Sequence, residues 1–186
     1  RDPRCVELMG EVQSLVRLAC QTNNRRTFPM SGTGSAAMEA TLANTVEPGD
    51  KVLVAIKGYF GVRLADMAGR YRADVATISV PWGEAFTLEQ LEAALIEHQP
   101  AILAMVHAET STGVCQPMEG IGDLCRRHNC LLLLDTVTSL GAVPLHLDAW
   151  GVDLAYSCSQ KGLSCPPGLG PFTMGPRAEA KLLARQ

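Results

Sequence analysis

The sequence predicts an α/β domain with a mostly parallel central sheet and helices on both faces. Three observations predict it. Short β-rich runs alternate with helical stretches along the chain, the pattern of repeated βαβ units. Some of those runs, "LLLLD" (131–135) above all, are apolar at nearly every position, as a strand covered on both faces requires. The segments "EPGD" (47–50), "QP" (99–100) and "HNC" (128–130) each end a helical pattern and launch a strand.

The elements follow in order. A helical pattern over Arg4–Cys20 precedes the first strand, Phe28–Met30. A helix over Ser35–Val46 leads to a strand over Lys51–Ile56, and a helix over Gly61–Tyr71 leads to a strand over Val75–Val80. The tetrad Thr87-Leu88-Glu89-Gln90 has the form of a capping box and opens a helix over Leu88–His98. Strand Ala101–His107, helix Met118–His128, and strands Cys130–Asp135 and Asp153–Ser157 complete the alternation. The last run, Pro171–Met174, lies too close to its predecessor for a long crossover, so it pairs antiparallel or after a short turn. There is no internal repeat and no low-complexity segment.

Composition narrows the function. The 186 residues suit one domain of ordinary size, and 47% are hydrophobic. No run approaches the roughly 18 apolar residues that a membrane span needs. A net charge of -3 argues against a nucleic-acid face. The seven cysteines form no CxxC pair and have no histidine spacing suited to zinc, so they read as reduced thiols, and no metal site is expected. No signal peptide is visible, and a cytoplasmic location is expected, with peroxisome or mitochondrion left open. The chain begins at Arg1 without Met and stops at Gln186 within a helical pattern, as a piece of a longer protein would.

In open parallel sheets, ligands bind outside the carboxyl ends of the strands. There the sequence places Ser31-Gly32-Thr33-Gly34-Ser35, Lys57-Gly58-Tyr59-Phe60-Gly61, His107 through Gly113, Asp135-Thr136-Val137, and Ser159-Gln160-Lys161. The segment "SGTGSAA" is either a tight strand-to-helix turn or an anion cup whose free amides and helix dipole hold a phosphate. Gly32-x-Gly34-x-x-Ala37 also fits a dinucleotide fingerprint. That reading needs an acid at the end of the next strand, whereas Glu47 and Asp50 precede it. No Walker lysine follows Gly34, so a single phosphate is the better occupant.

Asp135 is either a helix-capping aspartate or an acid that meets a cationic ring nitrogen or a metal. Asp148 and Asp153 lie near the wrong strand ends to share a metal. Lys161 is either a snorkelling strand-end lysine or an amine activated for Schiff-base chemistry. Pyridoxal phosphate (PLP) needs a lysine, an acid, an anion cup and an aromatic ring, and all four stand on this one rim. His107 reads as a core or supporting histidine, Cys158 and Cys165 as packing residues, and Trp82 as loop packing.

The segments "SGTGSAAMEA", "EPGDKVLV", "KGYFG", "HAETSTGV", "LLLLDTVTSLG" and "DLAYSCSQKGLSCPPG" carry a resemblance. The chain resembles the large domain of class V, fold-type I aminotransferases, and within them the alanine–glyoxylate and serine–pyruvate group. The step from Asp135 to Lys161 resembles the family's spacing of ring acid and Schiff-base lysine.

The resemblance implies roles. Lys161 forms the Schiff base and moves the proton between substrate Cα and cofactor C4′, while Asp135 keeps the pyridine nitrogen protonated. Thr33, Gly34 and Ser35 meet the phosphate, and Gln160 adds a hydrogen bond. Phe60 stacks on one ring face and Val137 packs on the other, with Thr110 near the ring hydroxyl. Ser35 departs from relatives that carry histidine there.

It further implies that residues 1–186 form the PLP-binding large domain. An N-terminal segment and a smaller C-terminal domain, which brings an arginine for the substrate carboxylate, would lie outside it, so these residues alone should be inactive. A homodimer whose neighbouring subunit completes the site is expected. The implied reaction passes an amino group from L-alanine, or a similar small amino acid, to glyoxylate. Ureidoglycine or serine as donor stays open. Cysteine desulfuration is more distant, because Phe60 replaces its usual stacking histidine. A non-catalytic fragment that only binds the cofactor or dimerises is the alternative of another class.

Overall fold

A computed structural model describes residues 2–185. The elements are α1 (Pro3–Cys20), β1 (Arg26–Ser31), α2 (Gly34–Thr45), β2 (Lys51–Ile56), α3 (Tyr59–Arg70), β3 (Asp74–Ser79), α4 (Leu88–His98), β4 (Ile102–Val106), α5 (Ile121–Arg127), β5 (Leu131–Asp135), β6 (Leu154–Tyr156), β7 (Leu169–Met174) and α6 (Pro176–Leu183).

The strands form a seven-stranded sheet in the order β1-β7-β6-β5-β4-β2-β3. Strands β2 to β6 run parallel, and β7 is antiparallel to both of its neighbours, β6 and β1. The last strand thus takes the antiparallel choice. The chain leaves β6 at Tyr156, turns through residues 157–168 without a helix, and returns between β1 and β6. Strands β1 to β6 therefore all end on one rim, and the return link carries Gln160 and Lys161 across it.

Alternate residues of each inner strand feed two separate cores. Leu53, Leu103, Met105, Leu132 and Leu134 pack with Leu91 and Leu95 of α4 and Leu124 of α5. Val52, Val54, Ile102, Ala104, Leu131 and Leu133 pack with Leu42 of α2 and Leu64 of α3. This is why "LLLLD" has no polar alternation: both of its faces are covered. The Thr87 capping box forms, with Gln90 N donating to Thr87 Oγ1 at 3.3 Å and Thr87 N donating to Gln90 Oε1 at 2.9 Å.

Two packing expectations fail. Trp82 is 63% exposed, because the loop that carries it lies outside both cores. Cys165 is also exposed, on the return link, whereas Cys158 is buried.

Candidate active site

Asp135 ends the central strand β5 and is buried beneath the rim. Its Oδ1 accepts from Val137 N at 2.8 Å, and its Oδ2 accepts from the Tyr156 hydroxyl at 2.7 Å. Asp135 and Tyr156 are register partners on adjacent parallel strands, so the sheet itself brings them together. Burial pushes the Asp135 carboxyl up to about 6, against the pull of the Tyr156 and Val137 hydrogen bonds. Each carboxylate oxygen holds one donor, which leaves lone pairs for another.

Thr33 caps α2, its Oγ1 accepting from Ala36 N at 3.4 Å. The amides of Gly34 and Ser35 open the helix and have no acceptor among the described residues. A Cβ on Gly34 would lie 3.1 Å from Cys158 Cβ and 3.3 Å from Val137 Cγ2, so glycine lets the first turn of α2 settle against the links after β5 and β6.

Phe60 stands in the first turn of α3, whose N-terminus has no side-chain cap of its own. The buried Glu109 serves instead: its carboxylate accepts from Phe60 N and Gly61 N, each at 3.4 Å, and from Ser111 N and Oγ at 3.1 and 2.7 Å. Gly58 makes room for it, since a Cβ there would fall 2.3 Å from Glu109 Cγ. Glu109 thus holds the backbone turn that carries Phe60.

These elements enclose a cavity of about 140 Å³. It is lined by Thr33, Gly34, Ser35, Phe60, Asp135, Val137, Gln160 and Lys161, all read from the sequence, together with Met38, Arg63 and Cys158, which were not. Lys161 is exposed on the return link and faces the same space as the buried Asp135. Thr110 is outside the lining: its Oγ1 lies 2.6 Å from Thr138 Oγ1, joining the loops after β4 and β5. Larger hollows of about 520 and 440 Å³ involve Asp148 and Asp153, away from this rim. Among the described residues no group of three or more His, Cys, Asp or Glu could hold a metal ion.

Sequence reading passed over Tyr156, Glu109 and Lys57 as site components. Nothing in the local pattern marks Tyr156, an apolar-looking strand residue whose hydroxyl meets Asp135 only through sheet register. Lys57 is 1% exposed, and its Nζ donates to His107 O at 3.2 Å and Val114 O at 3.1 Å. His107 is buried in turn, its ring 5.2 Å from that of Trp150. Burial lowers the Lys57 ammonium from 10.5 to about 8, although Glu109, Cys115 and Asp135 pull it back up.

Lys57 therefore carries a pH signature. Between about 8 and 10.5 the unfolded chain holds a proton on Lys57 that the folded chain has released, so stability rises with pH through that window. Lys57→Met should remove this rise. Below pH 8 the variant gains on the order of 3 kcal/mol by not burying a charge, and loses part of that gain through the two abandoned carbonyls. Urea titrations of both proteins at pH 7 and pH 10 measure it. A difference that does not narrow at pH 10 would mean the ammonium is solvated.

A parallel sheet with an anion-ready helix, a buried acid and a lysine on one rim belongs to a particular class, the PLP-dependent transferases of fold type I. Within that class, residues 3–182 match the class-V aminotransferases, and the chain belongs to this family. It is 42% identical over 180 residues to the alanine–glyoxylate aminotransferase of Rattus norvegicus, covering 97% of this chain and 44% of that protein. It superposes with a TM-score of 0.98 on the crystal structure of alanine–glyoxylate aminotransferase from Nostoc sp., at 66% identity, over 100% of this chain and 49% of that one. The ureidoglycine–glyoxylate aminotransferase of Bacillus subtilis gives a TM-score of 0.97 at 38% identity, over 99% of this chain and 48% of that one. The chain spans about half the length of the relatives it matches.

Proposed function

We propose that the whole protein is a PLP-dependent aminotransferase that passes the amino group of L-alanine, or a similar small amino acid, to glyoxylate. One observation carries this reading: the buried Asp135, the amine of Lys161 and the open amides of α2 line a single cavity. Its support includes relatives named for that reaction over nearly all of this chain.

The residues fit the cofactor. A carboxylate with unused lone pairs suits a protonated ring nitrogen, and amides without acceptors at a helix start suit a phosphate. When bound, PLP supplies an electron sink for a bond broken at the substrate's Cα. The protein does the rest. Asp135 would hold a proton on the ring nitrogen, and Lys161 Nζ would serve as the base that takes the proton from substrate Cα. Thr33, Gly34 and Ser35 hold the phosphate, and Gln160 adds a donor beside it. Phe60 and Val137 cover the two ring faces and exclude water. Thr110, paired with Thr138 just outside the cavity lining, is the candidate donor for the ring hydroxyl.

We place the arginine that orients the substrate carboxylate in a smaller domain outside residues 1–186, and further groups on the neighbouring subunit of a homodimer. Orientation can supply roughly 7–11 kcal/mol of a barrier, so residues 1–186 alone should turn over little. No described helix is long and apolar enough to cross a membrane. The seven free cysteines favour a reducing compartment such as the cytoplasm, the peroxisome or the mitochondrion.

The Bacillus subtilis likeness supports ureidoglycine as a second donor reading. The test is to assay the full-length protein with alanine, serine and ureidoglycine against glyoxylate. Alanine should give the highest kcat/KM. A higher value for ureidoglycine would change the donor, and failure to use glyoxylate would overturn the reaction.

A further inference from the structure

Besides Lys161, Arg63 is the only cation lining the cavity among the described residues. It stands on α3 one turn after Phe60, and its Nη2 donates to Ser35 Oγ at 2.7 Å. A guanidinium only donates, so Ser35 Oγ is held there as an acceptor. A serine hydroxyl also has one proton to give, and among the described residues no protein acceptor takes it. The neighbouring amides of Gly34 and Ser35 also lack acceptors among the described residues. The first turn of α2 contains no acid. Three unused donors and one fixed positive charge therefore meet in the cavity, whose acid, Asp135, ends β5 and already accepts from Val137 N and the Tyr156 hydroxyl. A single anion would accept from all three donors at once.

We propose that Arg63 is a phosphate-recognition residue that works with Ser35. It holds the Ser35 hydroxyl so that its proton faces the anion, and it supplies the charge that selects a phosphorylated cofactor in its dianionic form. This rests on the cofactor reading above. Arg63 acts partly through Ser35, so it is a positioning as well as a charge-bearing group. A phosphate's second ionisation lies near pH 6, and a fixed guanidinium keeps the bound group doubly charged at and below that value.

The experiment measures dissociation constants of PLP and of unphosphorylated pyridoxal for the full-length protein, by the change in cofactor absorbance. The variants are Arg63→Met, Arg63→Lys and Ser35→Ala. Arg63→Met should weaken PLP about 10- to 100-fold and pyridoxal less than about 2-fold, the range of one charge-assisted contact. Arg63→Lys should recover part of the loss. Ser35→Ala should weaken PLP less than Arg63→Met, and the double variant should lose less than the product of the two. The phosphorus resonance of bound PLP should stay at its dianion position from pH 8 to pH 6 in the wild type and titrate in Arg63→Met. Equal weakening of PLP and pyridoxal would show a merely structural role and overturn the proposal. So would an unchanged PLP constant in Arg63→Met. A wild type that binds neither compound would overturn the cofactor reading itself, and this inference with it.

Discussion

Lys161→Met should reduce transamination by the full-length protein by about 10⁴-fold or more, with little change in stability. Loss of a positioned proton carrier by itself removes about 10²- to 10⁴-fold, and loss of the amine that tethers the cofactor adds to this. The fold should not notice. Lys161 is exposed on the link between β6 and β7 and belongs to neither core. Its replacement strips no hydrogen bond from the described structure, and methionine keeps the length of the side chain. Steady-state rates and a thermal melt, taken side by side, check both halves. The assignment has a second test. Borohydride reduction of the protein with PLP, followed by peptide mapping, should place the label on Lys161. A label on Lys57 or Lys51 would refute it. The structure argues against both: Lys57 is buried with its ammonium on two carbonyls, and Lys51 begins β2 at the opposite end from the cavity.

Asp135→Asn should lower kcat about 10³-fold or more while weakening PLP binding far less, since each ~1.4 kcal/mol of lost transition-state stabilisation is tenfold in rate. An amide cannot keep a proton on the ring nitrogen, whereas its oxygen can still accept from Val137 N. The apoprotein should respond in the opposite sense. Burial raises the Asp135 carboxyl from 3.8 to about 6. Above pH 6 the folded chain therefore holds a charge that the unfolded chain carries more comfortably, and stability increases as pH falls from 6 toward 3.8. Asn removes that penalty, so the apo variant should be more stable than the wild type at pH 7, by on the order of a few kcal/mol, and the gap should close by pH 4. A residue whose removal stabilises the empty protein and disables the loaded one is held for its chemistry. Tyr156→Phe is the control: with one donor gone, the Asp135 carboxyl should rise further, so the gap at pH 7 should widen and begin to narrow at a higher pH, while still closing near pH 4. A variant with normal turnover would mean that another group holds the ring proton.

Much of the fold was legible in the sequence because its signals are local. Burial of "LLLLD" on both faces needs apolar residues at every position, and the Thr87–Gln90 box writes a helix start in four residues. The rim was legible for the same reason: Thr33, Asp135, Gln160 and Lys161 sit at or just beyond strand ends, and a parallel sheet sends those ends to one side. The short link before Pro171–Met174 limited that strand's pairing to two choices. Only the assembled sheet put β7 between β1 and β6, because strand order depends on how all the segments close around two cores at once.

The remaining site partners were decided the same way. Tyr156 reaches Asp135 through the register of β5 and β6, Glu109 caps α3 from the loop after β4, and Arg63 meets Ser35 across two helices. The separation in sequence is 21 residues for the first pair and 28 for the last, and no local propensity encodes such distances. Trp82 shows the converse, since an aromatic residue in a loop looks buried by composition and proves exposed once both cores have filled without it. The sequence by itself determined which chemical groups the rim would carry. Only the tertiary structure decided which of them touch, and therefore which carry a shifted proton affinity, because burial and partner distance exist only when the chain has closed.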